Sequence, residues 1–181
     1  MLNIIILCDI IDTTMEGNKS KNKPRALLVF GAPCSGKTTF AEKFANRFGL
    51  TYYNLISIEQ DYGFTREDLM LVLELILKTK QSILIEGGID SELERTELRN
   101  LLRKNGYEPS LIWVQTDLST IKLRLKMRYR SVSKAKKTYD DAVAVLEAPT
   151  DVEKPIILSG KHTFETQVKH VVKGLAEQED K

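Results

Sequence analysis

A glycine-rich stretch between a predicted strand and a predicted helix constrains the fold of this chain more than any other feature. Residues 31–38 read GAPCSGKT and fit the phosphate-binding pattern G-x-x-x-x-G-K-[ST]. The two glycines let the main chain turn tightly, so that successive N–H groups point at one anion. Lys37 can then reach the outer phosphates, and the Thr38 hydroxyl can ligate Mg²⁺. The pattern therefore predicts a nucleotide-binding site.

The residues on either side of this stretch agree with that prediction. Residues 26–30, ALLVF, are typical of a buried strand, and phenylalanines at helical spacing indicate a helix from Lys37 that ends before Gly49. Strand, glycine-rich loop and helix is the order that phosphate binding requires. The predicted nucleotide contacts are Gly31, Ala32, Pro33, Cys34, Ser35, Gly36, Lys37, Thr38 and Thr39.

Further short apolar runs alternate with predicted helices along the rest of the chain. Residues 50–58, 82–88, 110–116 and 155–160 are predicted strands. Capping boxes at Thr65 and Ser91 and a capping residue at Asp117 mark helix starts between them. This alternation predicts a three-layer α/β fold with a mainly parallel five-stranded sheet. Ligands of such folds bind at the carboxyl ends of the strands.

Length and composition indicate a single domain and a reducing environment. The 181 residues suffice for one α/β domain, and 27 basic against 25 acidic residues leave no global basic field for nucleic acid. The chain has only two cysteines, too few for a disulfide framework, and this favours a reducing, cytoplasmic location. We expect an extension and linker over residues 1–23, or a translation start at Met15, and one nucleotide-binding domain over 24–178. The apolar first eleven residues contain Asp9 and are too short to span a membrane.

Two strand ends bring carboxylates to the predicted site. Asp61 follows the second strand and could accept a proton from a hydroxyl, although Glu59 competes for this role and either could be an ordinary loop residue. Glu86 ends the third strand, where a carboxylate could hold Mg²⁺ or act as a base. Its structural alternative is a helix-capping or loop role.

A basic run over residues 124–138 is predicted to form a lid. Arg124 and Arg128 are four residues apart and share one face of a helix, and Arg130 follows them. Arginines stabilise the charge that develops during phosphoryl transfer, and a closed lid excludes water. The alternative is an ordinary solvated helix face.

A second helix, predicted from Thr65 to about Lys80, is apolar on more than one face over residues 69–77. It is either sandwiched within the domain, which we favour, or part of a subunit contact, so the oligomeric state stays open.

With these residues the chain resembles the small P-loop kinases of the polynucleotide-kinase, zeta-toxin and gluconate-kinase kind, which are often called AAA-family ATP-binding proteins. The resemblance covers residues 25–175 and rests on GAPCSGKTT, a carboxylate after the second strand, SILIEGG, RLKMRYR and LEAPTDVEKPIILSG. It implies that Lys37 and Thr38 of this Walker A motif hold ATP and Mg²⁺, that Asp61 is the base, and that Arg128 with Arg124 or Arg130 are lid arginines. Glu86 stands where the family usually has Asp.

The resemblance implies an ATP-dependent kinase that phosphorylates a hydroxyl of a small molecule or of a nucleic-acid end. A short span between Asp61 and the third strand leaves little room for an acceptor-binding insertion, so the acceptor class is open. The main alternative is an ATP-binding regulatory module with slow turnover. An ATPase acting on nucleic acid is disfavoured, because the chain is too short for a second motor domain.

Overall fold

The computed structural model describes residues 23–179 and contains five strands and seven helices in that range. Residues 1–22 of the predicted extension and linker (residues 1–23), which include Met15, lie outside the described part. The strands are β1 (Arg25–Phe30), β2 (Thr51–Asn54), β3 (Ile83–Glu86), β4 (Glu108–Gln115) and β5 (Ile156–Ser159). The helices are α1 (Lys37–Phe48), α2 (Leu55–Tyr62), α3 (Arg66–Leu77), α4 (Glu92–Lys104), α5 (Leu118–Arg128), α6 (Val132–Val145) and α7 (Phe164–Glu179).

The five strands form one parallel sheet in the order β2-β3-β1-β4-β5. This confirms the predicted sheet. Because all five strands run in the same direction, their carboxyl ends meet at one edge. Val29 of β1 pairs with Glu86 of β3, and Phe30 pairs with Trp113 of β4. The chain order therefore places the end of β1 between the ends of β3 and β4.

Helices cover both faces of the sheet and create two hydrophobic cores. Alternate residues of β1 point to opposite faces: Leu27 and Val29 pack with α1 and α7, whereas Leu28 and Phe30 pack with α3 and α4. A smaller third cluster joins α5 to α6. The arrangement is the predicted three-layer α/β fold. No helix within residues 23–179 has the length and apolarity needed to cross a membrane.

Most predicted helix starts are confirmed, but the predicted strand over residues 50–58 is wrong in its second half. Only Thr51–Asn54 forms a strand, and α2 begins at Leu55. The Asn54 side chain accepts a hydrogen bond from the Ser57 N–H at 3.0 Å and so caps α2. This local bond, together with burial of Leu55, favours helix over a longer edge strand.

Helix α3 differs from its prediction in length and in coverage. It starts at the capping box of Thr65 and ends at Leu77, three residues before the predicted end. One face is buried, but Leu71 and Leu75 are 63% and 62% exposed. Within the described part of the chain, the prediction that this helix is sandwiched on both sides is therefore wrong.

Candidate functional site

The loop between β1 and α1 has the backbone shape that an anion site requires. Gly31 and Gly36 have φ values of +145° and +106°, a region that other residues rarely adopt. A side chain at Gly31 would place its Cβ 2.4 Å from the Val114 carbonyl oxygen. Gly36 directly precedes α1, and no side chain caps this helix. The free N–H groups of its first turn therefore attract negative charge.

Lys37 and Thr38 extend from the start of α1 towards this loop and towards β3. The Lys37 ammonium lies 3.4 Å from the Ala32 carbonyl oxygen, folded against the loop. The Thr38 hydroxyl donates a hydrogen bond of 2.5 Å to Glu86 Oε1. One loop thus presents main-chain N–H groups, an ammonium and a hydroxyl, and the hydroxyl contacts a carboxylate from another strand.

Glu86 is buried at the end of β3, and three polar groups satisfy its carboxylate. Tyr52 donates a hydrogen bond to Oε2, and Asn54 Nδ2 lies 3.3 Å from the same oxygen. Burial, followed by the bond to Glu86, raises the pKa of the Tyr52 hydroxyl above its usual range. Asn54 pairs with Glu86 in the sheet, and Tyr52 lies two residues earlier on the same face. This network holds the Glu86 carboxylate next to the phosphate loop.

The oxygen donors at this point fit Mg²⁺. The ion prefers a few protein oxygens and keeps its remaining positions for water and phosphate. Thr38 and Glu86 offer a hydroxyl and a carboxylate in direct contact. Within residues 23–179, no group of three or more His, Cys, Asp or Glu side chains is placed to hold a metal alone. A metal held here would therefore need a bound phosphate to complete its coordination.

An open cleft of ≈ 650 Å³ lies over the loop and the start of α1. Its walls include Lys37, Arg128, His162 and Phe164. A second cavity of ≈ 710 Å³ opens at the ends of β4 and β5 and shares His162 with the first. The first is the candidate phosphate site, because it alone of the two contains Lys37 and Thr38.

Comparison with known proteins agrees with this geometry. Residues 27–149, more than half of the chain, match the sequence pattern of the AAA domain family. The chain belongs to the AAA domain family. A curated relative, the 26S proteasome regulatory subunit 7 homolog of Saccharomyces cerevisiae, is 28% identical over an alignment of 103 residues that covers 48% of this chain and 22% of that protein. The chain thus matches less than a quarter of that relative's length.

Two solved structures show the same fold as this AAA domain. A gluconokinase from Sinorhizobium meliloti 1021 has a TM-score of 0.67 at 15% identity, covering 87% of this chain and 95% of that chain. Kti12 from Chaetomium thermophilum, in complex with ADP-AlF3, has a TM-score of 0.62 at 16% identity, covering 84% and 97%. The fold of the AAA domain is therefore that of P-loop kinases, as predicted.

The three predicted lid arginines of the AAA domain have different surroundings. Arg128 is exposed and lines the cleft. Arg130 is exposed beyond the end of α5. Helix α6 begins at Val132 and therefore includes much of the basic run. Arg124 instead binds the loop itself: Nη1 donates to the Cys34 and Ser35 carbonyls at 3.0 and 3.2 Å, and Nη2 to the Gly160 carbonyl at 2.9 Å.

Replacing Arg124 by Ala is expected to weaken ATP binding about tenfold, or about 1.4 kcal/mol. The reason is that two loop carbonyls, those of Cys34 and Ser35, lose the donor that also ties them to the Gly160 carbonyl, so the loop is less fixed before the nucleotide arrives. Titration calorimetry with ATP measures the effect. Lys126→Ala, at an exposed position of the same helix, is the charge-matched control. Equal affinities for the two variants would contradict a loop-fixing role for Arg124.

Gly160 and Thr116 also hold the loop, and the sequence analysis did not identify either. The Thr116 hydroxyl donates to the Ser35 carbonyl at 2.8 Å. A Cβ at Gly160 would lie 1.8 Å from that same carbonyl oxygen, so only glycine allows this approach. The available signal was position, since each residue is the last of a predicted strand and directly follows the observed one. His162, which follows β5, lies on the wall of the cleft.

Asp61, the predicted base, lies away from the strand ends. It is exposed in the last turn of α2. With a helical rise of about 1.5 Å per residue, it is on the order of 10 Å from the end of β2. Glu59 lies on the same helix, two residues closer to the strand. Neither carboxylate lines the cleft that contains Lys37.

Proposed function

We propose that this AAA domain is an ATP-dependent phosphotransferase that moves the γ-phosphoryl group of ATP to a hydroxyl of a small molecule. The observation that carries the proposal is the hydrogen bond from Thr38 to Glu86, because it joins the phosphate loop to a buried carboxylate beside an open cleft. The shared fold with a gluconokinase supports the same reaction class. The acceptor is defined here only by its hydroxyl group.

In this proposal the loop residues bind and position the nucleotide. The main-chain N–H groups of residues 31–39, which Pro33 lacks, contact the phosphates, and Lys37 donates to the outer ones. Thr38 and Glu86 would hold Mg²⁺, which supplies positive charge against the phosphate oxygens when bound. Arg128 lies on the cleft wall, where its guanidinium can neutralise charge on the moving group. Most of the rate enhancement then comes from positioning and charge stabilisation.

The second candidate function is a nucleotide-binding regulatory module with slow turnover. One observation favours it: of the three predicted lid arginines, Arg124 is engaged by loop carbonyls and Arg130 does not line the cleft. Only Arg128 then remains to stabilise the transferring group in this conformation.

A transfer assay distinguishes the two functions. ATP labelled in the γ-phosphate is incubated with sugars, nucleosides and polynucleotide 5′ ends, using the wild type and Arg128→Ala. The phosphotransferase predicts a labelled small-molecule product and a loss of about 10²-fold in rate for Arg128→Ala. The regulatory module predicts no labelled acceptor and unchanged ATP affinity in that variant. A labelled polynucleotide end instead would assign the acceptor to nucleic acid.

A further inference from the structure

The loop that follows β3 lies beside the phosphate loop and contains a carboxylate to which the sequence analysis gave no role. β3 is the direct neighbour of β1 in the sheet, and the Gly87 N–H donates to the Val29 carbonyl at 3.2 Å. Asp90 is four residues beyond the end of β3 and directly precedes Ser91, which caps α4. Its place in the fold is therefore at the ligand-binding edge of the sheet.

The main chain of Asp90 is held firmly by two donors. Its carbonyl oxygen accepts hydrogen bonds from Arg95 Nη1 and from the Glu147 N–H, both at 2.9 Å. Arg95 is itself fully buried and pairs with Glu153 through bonds of 2.7 and 3.0 Å. The Arg95 guanidinium also lies 4.8 Å from the Phe30 ring centroid. This network gives Asp90 a fixed position, as a reacting group requires.

The side chain of Asp90 is not used by this network. It is half-buried, and its carboxylate makes no hydrogen bond to any group in the described part of the chain. The charged groups that face it are Lys37 on α1 and Glu94 and Arg95 on α4. Burial raises the pKa of Asp90, and the Lys37 ammonium opposes this shift. Because no group in the described part of the chain donates a hydrogen bond to this half-buried carboxylate, its oxygens are available to accept one from a ligand.

We infer that Asp90 is the carboxylate that binds the acceptor hydroxyl and takes its proton during phosphoryl transfer. The inference rests on the proposed function and names the base for it. The acceptor O–H proton passes to an Asp90 carboxylate oxygen while the acceptor oxygen bonds to the γ-phosphorus of ATP. The bond from that phosphorus to the β,γ-bridging oxygen breaks, and its electron pair leaves with ADP. Asp90 then releases the proton to solvent.

Asp90 is better placed for this step than Asp61. Asp90 lies near Lys37, whose ammonium is expected at the outer phosphates. Asp61 is exposed in the last turn of α2, away from the end of β2. A base must come within hydrogen-bond distance of the hydroxyl it deprotonates. Neither carboxylate lines the cleft that contains Lys37, but Asp90 lies on the loop that directly follows β3, the neighbour of β1 in the sheet.

The test measures ATP and ADP affinity and turnover in Asp90→Asn, with Asp141→Asn on the exposed face of α6 as charge-matched control. Turnover is transfer to any acceptor found by the labelling assay, or ATP hydrolysis with water as acceptor. Removing the Asp90 charge is expected to tighten ATP binding by about threefold to tenfold, with a smaller change for ADP, because a negative charge near the γ-phosphate is lost. Turnover is expected to fall by about 10² or more.

Opposite changes in affinity and turnover separate a base from a structural residue, which would weaken both. Unchanged ATP affinity in Asp90→Asn overturns the inference, as does a loss of turnover in Asp61→Asn with Asp90→Asn unaffected. If Asp90→Asn has a lower melting temperature than the wild type, Asp90→Ser is measured in its place. Failure of the wild type to bind ATP would instead overturn the proposed function, so the two failures are distinguishable.

Discussion

Replacing Lys37 by Ala is expected to lower the rate of phosphoryl transfer by about 10²- to 10³-fold and to raise the Kd for ATP by about tenfold to a hundredfold. The Lys37 ammonium lies against the phosphate loop at the start of α1 and makes one contact there, 3.4 Å to the Ala32 carbonyl. It is therefore available to the outer phosphates. Its loss removes a charge-assisted hydrogen bond that strengthens as negative charge moves during transfer. Labelled ATP and titration calorimetry measure the two quantities.

Lys43→Ala is the matched control for this prediction. Lys43 lies on the same helix and lines the same cleft, but it is outside the phosphate loop. A change of less than about threefold in the Kd for ATP is expected, since exposed charges are screened by salt. Similar losses in Lys37→Ala and Lys43→Ala would mean that general positive charge, rather than the loop lysine, holds the nucleotide.

Replacing Arg95 by Ala is expected to lower the free energy of unfolding by about 3–5 kcal/mol, the range for a broken buried ion pair. The change leaves the buried Glu153 carboxylate without its two bonds from Arg95 and deprives the Asp90 and Glu147 carbonyls of a donor. Urea denaturation measures the loss. Arg95→Met with Glu153→Leu is expected to be less destabilised than Arg95→Ala, because it leaves no unpaired charge in the core.

The acid side of the stability curve gives a second check on the pair. Burial alone would raise the pKa of Glu153, but bonds from Arg95 and the Thr150 N–H lower it overall. A depressed pKa in the folded state adds stability above the unfolded value of about 4.3, and this stability is lost as pH falls through the folded pKa.

The control for Arg95→Ala is Lys173→Ala, which removes an exposed pair with Glu177 and should lower the free energy of unfolding by about 0–1 kcal/mol. If Arg95→Ala were as stable as Lys173→Ala, the expected loss from the broken buried ion pair would be contradicted.

The fold was largely predictable because its determinants are local. Capping boxes at Thr65 and Ser91 and the cap at Asp117 set the helix starts, and short apolar runs set the buried strands. The start of α2 was missed because one side-chain bond, from the Ser57 N–H to Asn54, decided between helix and strand. Apolar patterning over residues 55–58 does not contain that information.

The site was predictable where it depends on one motif and unpredictable where it depends on register. The loop of residues 31–39 and Glu86 could be predicted, because the loop directly follows one predicted strand and Glu86 lies near the end of another. The contacts of Tyr52 with Glu86 and of Arg95 with Glu153 join residues 34 and 58 positions apart. Arg95 did carry a signal, since it shares a helix face with Leu98 and Leu102 and should therefore be buried. A buried arginine requires a partner, and only the folded chain identifies Glu153.

In the proposed function the main chain of residues 31–39 binds the phosphates of ATP. Backbone amide NMR during titration of the wild type with ATP and Mg²⁺ tests this binding directly. We expect the largest shifts at Gly36, Lys37 and Thr38, and smaller shifts in Lys37→Ala at equal ATP concentration. Shifts confined to residues outside this loop, or no shifts at millimolar ATP, would show that the loop does not bind the phosphates.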